Sequence, residues 1–196
     1  MVSISVSANV KQVKKQLNAM QRKQIPFALA SALNEIAFTA RKAEQNAQRQ
    51  YIDRPTSFTN KGYQVLKTNK RALKASLIIP DNRGYLKHQI KGGTSTRAKN
   101  KHAIPINKAL QNKFGGMARN KTKTLLKRKG HFRATINGTD GLWARKDGVP
   151  RLQIVYKDSI TTRKTYPVWK AAQRVVAKRF KHVLDDKLKY ALRTAR

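Results

Sequence analysis

Cysteine is absent from this chain, so disulfide staples and thiolate metal sites are excluded. Acid is scarce as well: 9 Asp and Glu stand against 44 Lys and Arg, giving a formal charge of +35. That scarcity bears on catalysis, because acid and base chemistry needs titratable groups that converge. The acids are scattered, and the only adjacent pair, Asp185-Asp186, falls in a predicted helix where neighbouring side chains point about 100° apart. Among the 4 histidines, His88, His102, His131 and His182, no two have metal-ligand spacing on one element. Gly92-Gly93 and Gly115-Gly116 lack the Lys and Ser or Thr of a phosphate-cradling loop, and no Gly-x-Ser-x-Gly elbow occurs. No catalytic, cofactor-binding or metal-binding residue is therefore expected, and the chain reads as a non-enzyme.

Long hydrophobic runs are also missing. The longest apolar-rich stretch free of charge, Ile25 to Asn34, is too short to span a bilayer. The opening residues alternate Val2, Ile4 and Val6 with serines and lack the apolar segment of a signal peptide. The expectation is a protein with no membrane anchor, used in a cytoplasm or carried inside a particle assembled there.

Positive charge is what the sequence has in excess. A compact state so charged repels itself unless a polyanion or a neighbouring subunit neutralises it, and nucleic acid is the obvious polyanion. The basic residues are spread along the chain and not gathered on one amphipathic helix, which disfavours a membrane surface. From Asn82 to Thr139 there is no acid, while 15 Lys and Arg occur. Solvated faces normally mix both signs. The candidate nucleic-acid contacts are Arg97, Lys99, Lys101, Lys113, Arg119, Lys121, Lys123, Lys127, Arg128 and Lys129, densest from Lys121 to Lys129. Aromatics are few there, with Tyr85, Phe114 and Phe132 far apart, so the region is a poor stacking platform for single strands. Phosphate contact without base readout follows.

Hydrophobic periodicity gives the fold class. Residues 2 to 7 alternate as a half-buried strand. Asn9 caps a helix carrying Val10, Val13, Leu17 and Met20 at helical spacing, and Pro26 ends or kinks it. Leu29, Leu33, Ile36, Ala40, Ala47 and Tyr51 then keep helical spacing for about six turns. The alanines from Ala28 to Ala47 permit close approach of another backbone, as an intramolecular packing face or as a subunit interface. Pro55 bars Arg54 from helical geometry, so the helix stops near Asp53. Gly62 to Asn69 and Ala75 to Pro80 read as strands, with Leu77, Ile78 and Ile79 buried. Tyr85 to Ile90 fits a short helix or a strand.

Gly92 to Thr96 reads as a flexible loop opening the basic middle. Ile104-Pro105-Ile106 cannot be a central strand because proline lacks a ladder donor. Lys108 to Phe114 and Met117 to Lys129 read as weak helices split by Gly115-Gly116. Phe132 to Asn137, Leu142 to Arg145 and Leu152 to Tyr156, with turn signals at Asn137-Gly138 and Asp147-Gly148, predict an antiparallel meander. Thr165 then caps a last helix with Pro167 near its start. Its apolar stripe is Val168, Ala172, Val176, Phe180, Val183 or Leu184, Leu188 and Ala191. The expected architecture is α+β: a small antiparallel sheet flanked by long N- and C-terminal helices, with a basic irregular middle. One domain over 1–196 is expected, with a helical arm at 8–53, a basic extended or loop region at 92–131, and the meander with its helix at 132–196.

Several motifs come in an order that resembles the phage minor tail protein Z-like family over most of the chain. They are the helix with Ala32-Leu33-Asn34, the Arg54-Pro55-Thr56 turn with Phe58-Thr59, Tyr85-Leu86 through Gln89-Ile90 to Gly92-Gly93, and Gly141-Leu142-Trp143 before Tyr166-Pro167. Ser57 stands where a proline is common in such relatives, and the region after Gly93 is richer in lysine. The resemblance implies a structural virion protein of the neck or upper tail, active in tail completion and made in the host cytoplasm. It implies a homo-oligomeric ring around the channel for packaged double-stranded DNA, touching portal, adaptor or tail proteins. Arg54, Pro55, Tyr85, Leu86, Gly92 and Gly93 are then structural or interface positions, and the family has no catalytic residue to transfer. A basic RNA-binding or ribosome-associated protein shares the charge and the absent cysteines, and is the alternative.

Overall fold

The structure, a computed structural model, describes residues 2–7, 19–97 and 100–194. In chain order the first elements are β1 (Val2–Ser7), α1 (Ala19–Tyr51), α2 (Ser57–Asn60), β2 (Gln64–Leu66), β3 (Lys74–Ile79) and α3 (Leu86–Lys91). They are followed by β4 (Gly93–Thr96), β5 (His102–Pro105), α4 (Lys121–Leu126), β6 (His131–Ile136), β7 (Thr139–Lys146), β8 (Val149–Lys157), β9 (Ser159–Thr162) and α5 (Lys170–Thr194). Helices and antiparallel sheets together make an α+β fold with long helices toward both ends, as the periodicity predicts. Where the sequence reading treats 1–196 as one domain, contacts gather the chain into two compact units. One comprises Met1–Leu86 with Tyr166–Arg196, the other Lys87–Thr165.

The first unit is built on α1. Its helical pattern continues straight through Pro26, which neither ends the helix nor opens a second one. An interior proline costs about 3 kcal/mol, but Ile25, Ala28, Leu29, Ala32, Leu33, Ile36 and Ala40 are all buried on one continuous stripe that a break would divide. Of the helix proposed over Val10 to Met20, the part before Ala19, with its cap at Asn9, lies outside the described residues, and Met20 belongs to α1. Ala28, Ala30, Ala32, Ala37 and Ala40 of α1 are buried within the chain itself, so they serve intramolecular packing, and α1 packs extensively against α5, while Ala43 and Ala47 are half-buried. In α5 the residues pointing inward are Ala172, Val183 and Ala191, with Phe180 packing on Leu33, Ala37 and Ala75. Glu35 and Lys187 add an ion pair at 2.8 Å between the two helices.

Against these helices lies a three-stranded sheet in the order β1-β3-β2, both pairs antiparallel. The central strand β3 buries Ala75, Leu77, Ile78 and Ile79, and β1 sets Ile4 beside Leu77 and Val6 beside Ala75. Asn34 of α1 pins the β2–β3 connection by donating to the Thr68 carbonyl at 3.0 Å and accepting from the Thr68 amide at 2.8 Å.

One buried carboxylate organises the join of α1 and α5. Glu44, fully buried, accepts a short hydrogen bond from the Tyr166 hydroxyl and another at 2.8 Å from the Ala172 amide in the first turn of α5. That amide has no partner inside its own helix, so the carboxylate caps α5 from a different element and meets the positive end of its dipole. The Tyr63 hydroxyl in turn lies 2.5 Å from that of Tyr166. Burial first, and then the bonds to Glu44 and Tyr63, push the Tyr166 phenol well above its ordinary range, so it stays a neutral donor. Thr165 does not cap α5 as the sequence suggests. Its hydroxyl donates to Gln89 Oε1 at 2.7 Å, and the helix starts only at Lys170, after Trp169 with φ 74°.

The second unit holds a four-stranded antiparallel sheet, β5-β8-β7-β6, and a two-stranded ribbon of β4 and β9. The predicted meander is present as β6, β7 and β8, and its two turns place Asn137-Gly138 and Asp147-Gly148 at positive φ, as two-residue hairpins require. Pro105 sits on the edge strand β5, where no donor is missed. Leu125, Leu142 and Ile154 form the core, with Ala103, Leu110, Met117 and Tyr156 packed around it. The basic middle is therefore less irregular than expected. Gly93 to Thr96 is a strand and not a loop, because Ser159 to Thr162 supplies a ladder partner that its short polar sequence conceals. The weak helices shrink to one 3-10 turn at Lys108–Leu110 and to α4.

Substitutions at two positions, Glu44 and Gly141, probe this packing. Glu44→Ala leaves the Ala172 amide buried without an acceptor and removes the carboxylate partner of the Tyr166 hydroxyl, and is expected to lower the unfolding free energy by about 3 kcal/mol in urea titrations, with Glu44→Gln intermediate. A Cβ at Gly141 would lie 2.5 Å from Leu152 Cδ1 and 2.8 Å from the Ile154 carbonyl oxygen. Gly141→Ala is therefore expected to cost about 2 kcal/mol by overpacking, read as a lowered thermal midpoint.

Candidate nucleic-acid interface

The second unit carries 20 Lys and Arg against 3 Asp in the sequence from Lys87 to Thr165. Their placement sorts them into paired and unpaired groups. Lys101, just before β5, is held by Asp140 at 3.1 Å and by Asp158 at 3.6 Å. Asp140 also receives the guanidinium of Arg133, with Nη2 at 3.1 Å and Nε at 3.4 Å. The hydrogen bonds from Arg133 and then Lys101 hold the Asp140 carboxyl below its ordinary range, and the same contacts raise Lys101 and Arg133. Lys101, a predicted phosphate contact, is thus already neutralised.

The others have no carboxylate. Arg97, Lys113, Arg119, Lys123, Lys127, Arg128 and Lys129 are exposed and Lys121 half-buried, and no described carboxylate lies within ion-pair distance of any of them. Lys99 lies outside the described residues. The densest group follows from the local fold. Leu125 is the buried anchor of α4, which leaves Lys123 and Lys127 on the outer side of that short helix. The chain then turns by way of bonds from the Arg128 amide to the Leu125 carbonyl and from the His131 amide to the Arg128 carbonyl, with Gly130 at φ 79°. Arg128 and Lys129 are carried on that turn. Lys113 stands apart, its ammonium 5.2 Å from the centroid of the Phe114 ring.

Arg97 and Arg119 meet at a cleft of about 550 Å³, with Asn100, His102 and Thr122 on its polar wall and Ala103, Met117 and Ile160 as apolar lining. No acid lines it. His102 is fixed by a bond of 3.0 Å between Nε2 and the Ser95 carbonyl oxygen. The sequence reading missed Arg133 and Arg145, which lie 4.6 Å and 5.3 Å over the rings of Tyr156 and Phe132. The strand alternation that exposes Arg133 in β6 was the available signal.

The six structural or interface positions behave differently. Leu86 is core, and Gly92 and Gly93 both take positive φ at the entry to β4, where an added Cβ on Gly92 would lie 3.3 Å from the Lys164 amide. The Tyr85 hydroxyl is 2.9 Å from Thr59 Oγ1. Pro55 is half-buried and follows Arg54 at φ 45°, so the junction leaves helical geometry as expected but by a left-handed residue. The chain then enters α2, with Thr56 Oγ1 accepting from the Thr59 amide, and not a strand. Arg54 is exposed and reaches no helix carbonyl. It pairs with its neighbour Asp53 at 2.8 Å.

Fold and surface together define an α+β protein with an acid-free basic surface around α4. Compared with models of protein families, with curated proteins and with solved structures, the chain has no match. No helix among the described residues is long and apolar enough to cross a membrane, and they contain no cluster of three metal-ligating side chains.

Asp140 gives a pH test. Because its folded pKa is below the ordinary 3.8, the stability it contributes is complete above that value and is lost as pH falls through the lowered one. Asp140→Asn is expected to reduce the thermal midpoint at neutral pH, with the difference from the parent chain narrowing as pH is lowered below the ordinary carboxylate range.

Proposed function

We propose that this chain is a structural protein of a tailed-phage particle, placed at the neck or upper tail, which forms a ring around the DNA channel and holds packaged duplex DNA by its phosphates. The observation that supports the DNA contact is the group Lys121, Lys123, Lys127, Arg128 and Lys129, fixed on α4 and its following turn with no carboxylate beside it. The placement in a virion is supported by the order of motifs that resembles the minor tail protein Z-like family, from Ala32-Leu33-Asn34 to Tyr166-Pro167. The role is non-catalytic. Partners in this reading are further copies of the chain, portal, adaptor or tail proteins, and the DNA itself.

Such a contact is electrostatic, so duplex affinity is expected to be independent of sequence and to fall steeply with salt. Two unrelated duplexes should compete equally in fluorescence anisotropy, and a hundredfold preference would require base readout instead. Replacing Lys123, Lys127 and Arg128 together by Gln is expected to flatten the slope of log affinity against log salt by about 3. Lys101→Gln is expected to change it by less than about 1, since Asp140 and Asp158 already neutralise that lysine. Assembly is read separately, by native mass spectrometry of the chain purified from particles. A ring-sized oligomer supports the virion reading. One copy per particle would overturn the ring, and co-sedimentation with ribosomes would replace the virion reading with the RNA-binding alternative.

A further inference from the structure

A second basic cleft lies in the first unit, and the DNA-binding reading makes no use of it. It is open, has a volume of about 520 Å³, and is lined in part by Phe38 and Arg41 of α1, Lys61, Lys67, Asn82 and Arg83. None of its lining residues is a carboxylate. Four cations converge there at the expense of mutual repulsion, which an anion would relieve.

The cations are held in position by neighbouring groups. The Arg41 guanidinium and the Lys67 ammonium lie 5.0 Å and 5.5 Å from the centroid of the same Phe38 ring. Arg83 stacks 3.7 Å over Phe58 and donates from Nη1 to Asn82 Oδ1 at 2.8 Å. These contacts leave hydrogen-bonding capacity unused: the Nε atoms of Arg41 and Arg83 are both buried and have no hydrogen-bond partner among the described residues. Buried donors are almost always paired, and a guanidinium with free N–H groups matches an oxyanion in shape and charge. Gly62 in the wall packs closely under Arg83: a Cβ there would lie 2.8 Å from the Thr59 carbonyl oxygen and 3.4 Å from Arg83 Cγ.

We infer that this cleft is a phosphate-binding site, with Arg41 and Arg83 donating to the phosphate oxygens and Lys61 and Lys67 neutralising the remaining charge. The ligand chemistry is a phosphate group, either free on a small molecule or in a nucleic-acid backbone. The site stands independently of the α4 surface.

The test is calorimetric titration of the full chain with inorganic pyrophosphate in physiological salt. Saturable one-to-one binding is expected. The exposed pair Lys61→Gln with Lys67→Gln should weaken it by about tenfold or more. Lys123→Gln with Lys127→Gln removes the same charge elsewhere and should leave it within about twofold. Arg41→Lys keeps the charge but loses the planar fork, and should weaken binding while circular dichroism stays unchanged. Absence of saturable binding, or equal loss in both lysine pairs, would overturn the site in favour of diffuse attraction. A short duplex then separates the sources. Displacement of pyrophosphate identifies a nucleic-acid phosphate as the ligand, whereas simultaneous binding of both identifies a small phosphate compound; either result retains the site.

Discussion

The first unit depends on one carboxylate. Glu44 sits about two turns before the end of α1, away from water, and accepts from the Tyr166 hydroxyl and from an amide in the first turn of α5. A buried carboxyl group is tolerated only when its oxygens are hydrogen-bonded, and here both are, by the Tyr166 hydroxyl and the Ala172 amide. The two helices can therefore dock in one register. Tyr63 extends the chain of hydroxyls, and the edge of its ring meets Trp169 at 6.0 Å, so the irregular segment before α5 is tied to the same point. In a protein with 9 acids, committing one to the interior is a substantial share of its negative charge.

The remaining charge is distributed unevenly. In the second unit Asp140 collects both Lys101 and Arg133, so one end of the sheet is nearly neutral while the α4 region has no local counter-charge. In the first unit the cleft beside Phe38 gathers further cations without an acid in its lining. Aromatic faces take over part of the work that carboxylates do elsewhere, since Phe38, Phe58, Phe132 and Tyr156 each carry a cation over the ring. Arg41, Lys67, Arg83 and Arg145, held this way without an ion pair among the described residues, keep their charge available to a polyanion, whereas Arg133, which also pairs with Asp140, does not.

Much of this was legible from the chain alone. Alternation predicted β1, the two glycine turns predicted the β6-β7-β8 meander, and Pro105 was rightly denied a central strand. Helical spacing identified the buried stripes of α1 and α5, and the acid-free run from Asn82 to Thr139 marked the basic surface. These are local signals: period, turn chemistry and charge density are written in consecutive residues, and a strong apolar stripe needs no knowledge of what will cover it.

Tertiary structure alone decided the rest. Pro26 continues a helix because burial of the residues around it outweighs a local penalty. Gly93 to Thr96 becomes a strand because Ser159 to Thr162, far along the chain, supplies its hydrogen bonds. Lys101 differs from Lys123 only through Asp140 and Asp158, and Glu44 differs from a surface acid only through Tyr166 and Ala172. The cleft lined by Arg41, Lys61, Lys67 and Arg83 draws on residues spread over more than forty positions. Composition sets how much charge a chain has. Which charges are neutralised, buried or left facing a cleft depends on distances between residues remote in sequence, and folding alone sets those distances.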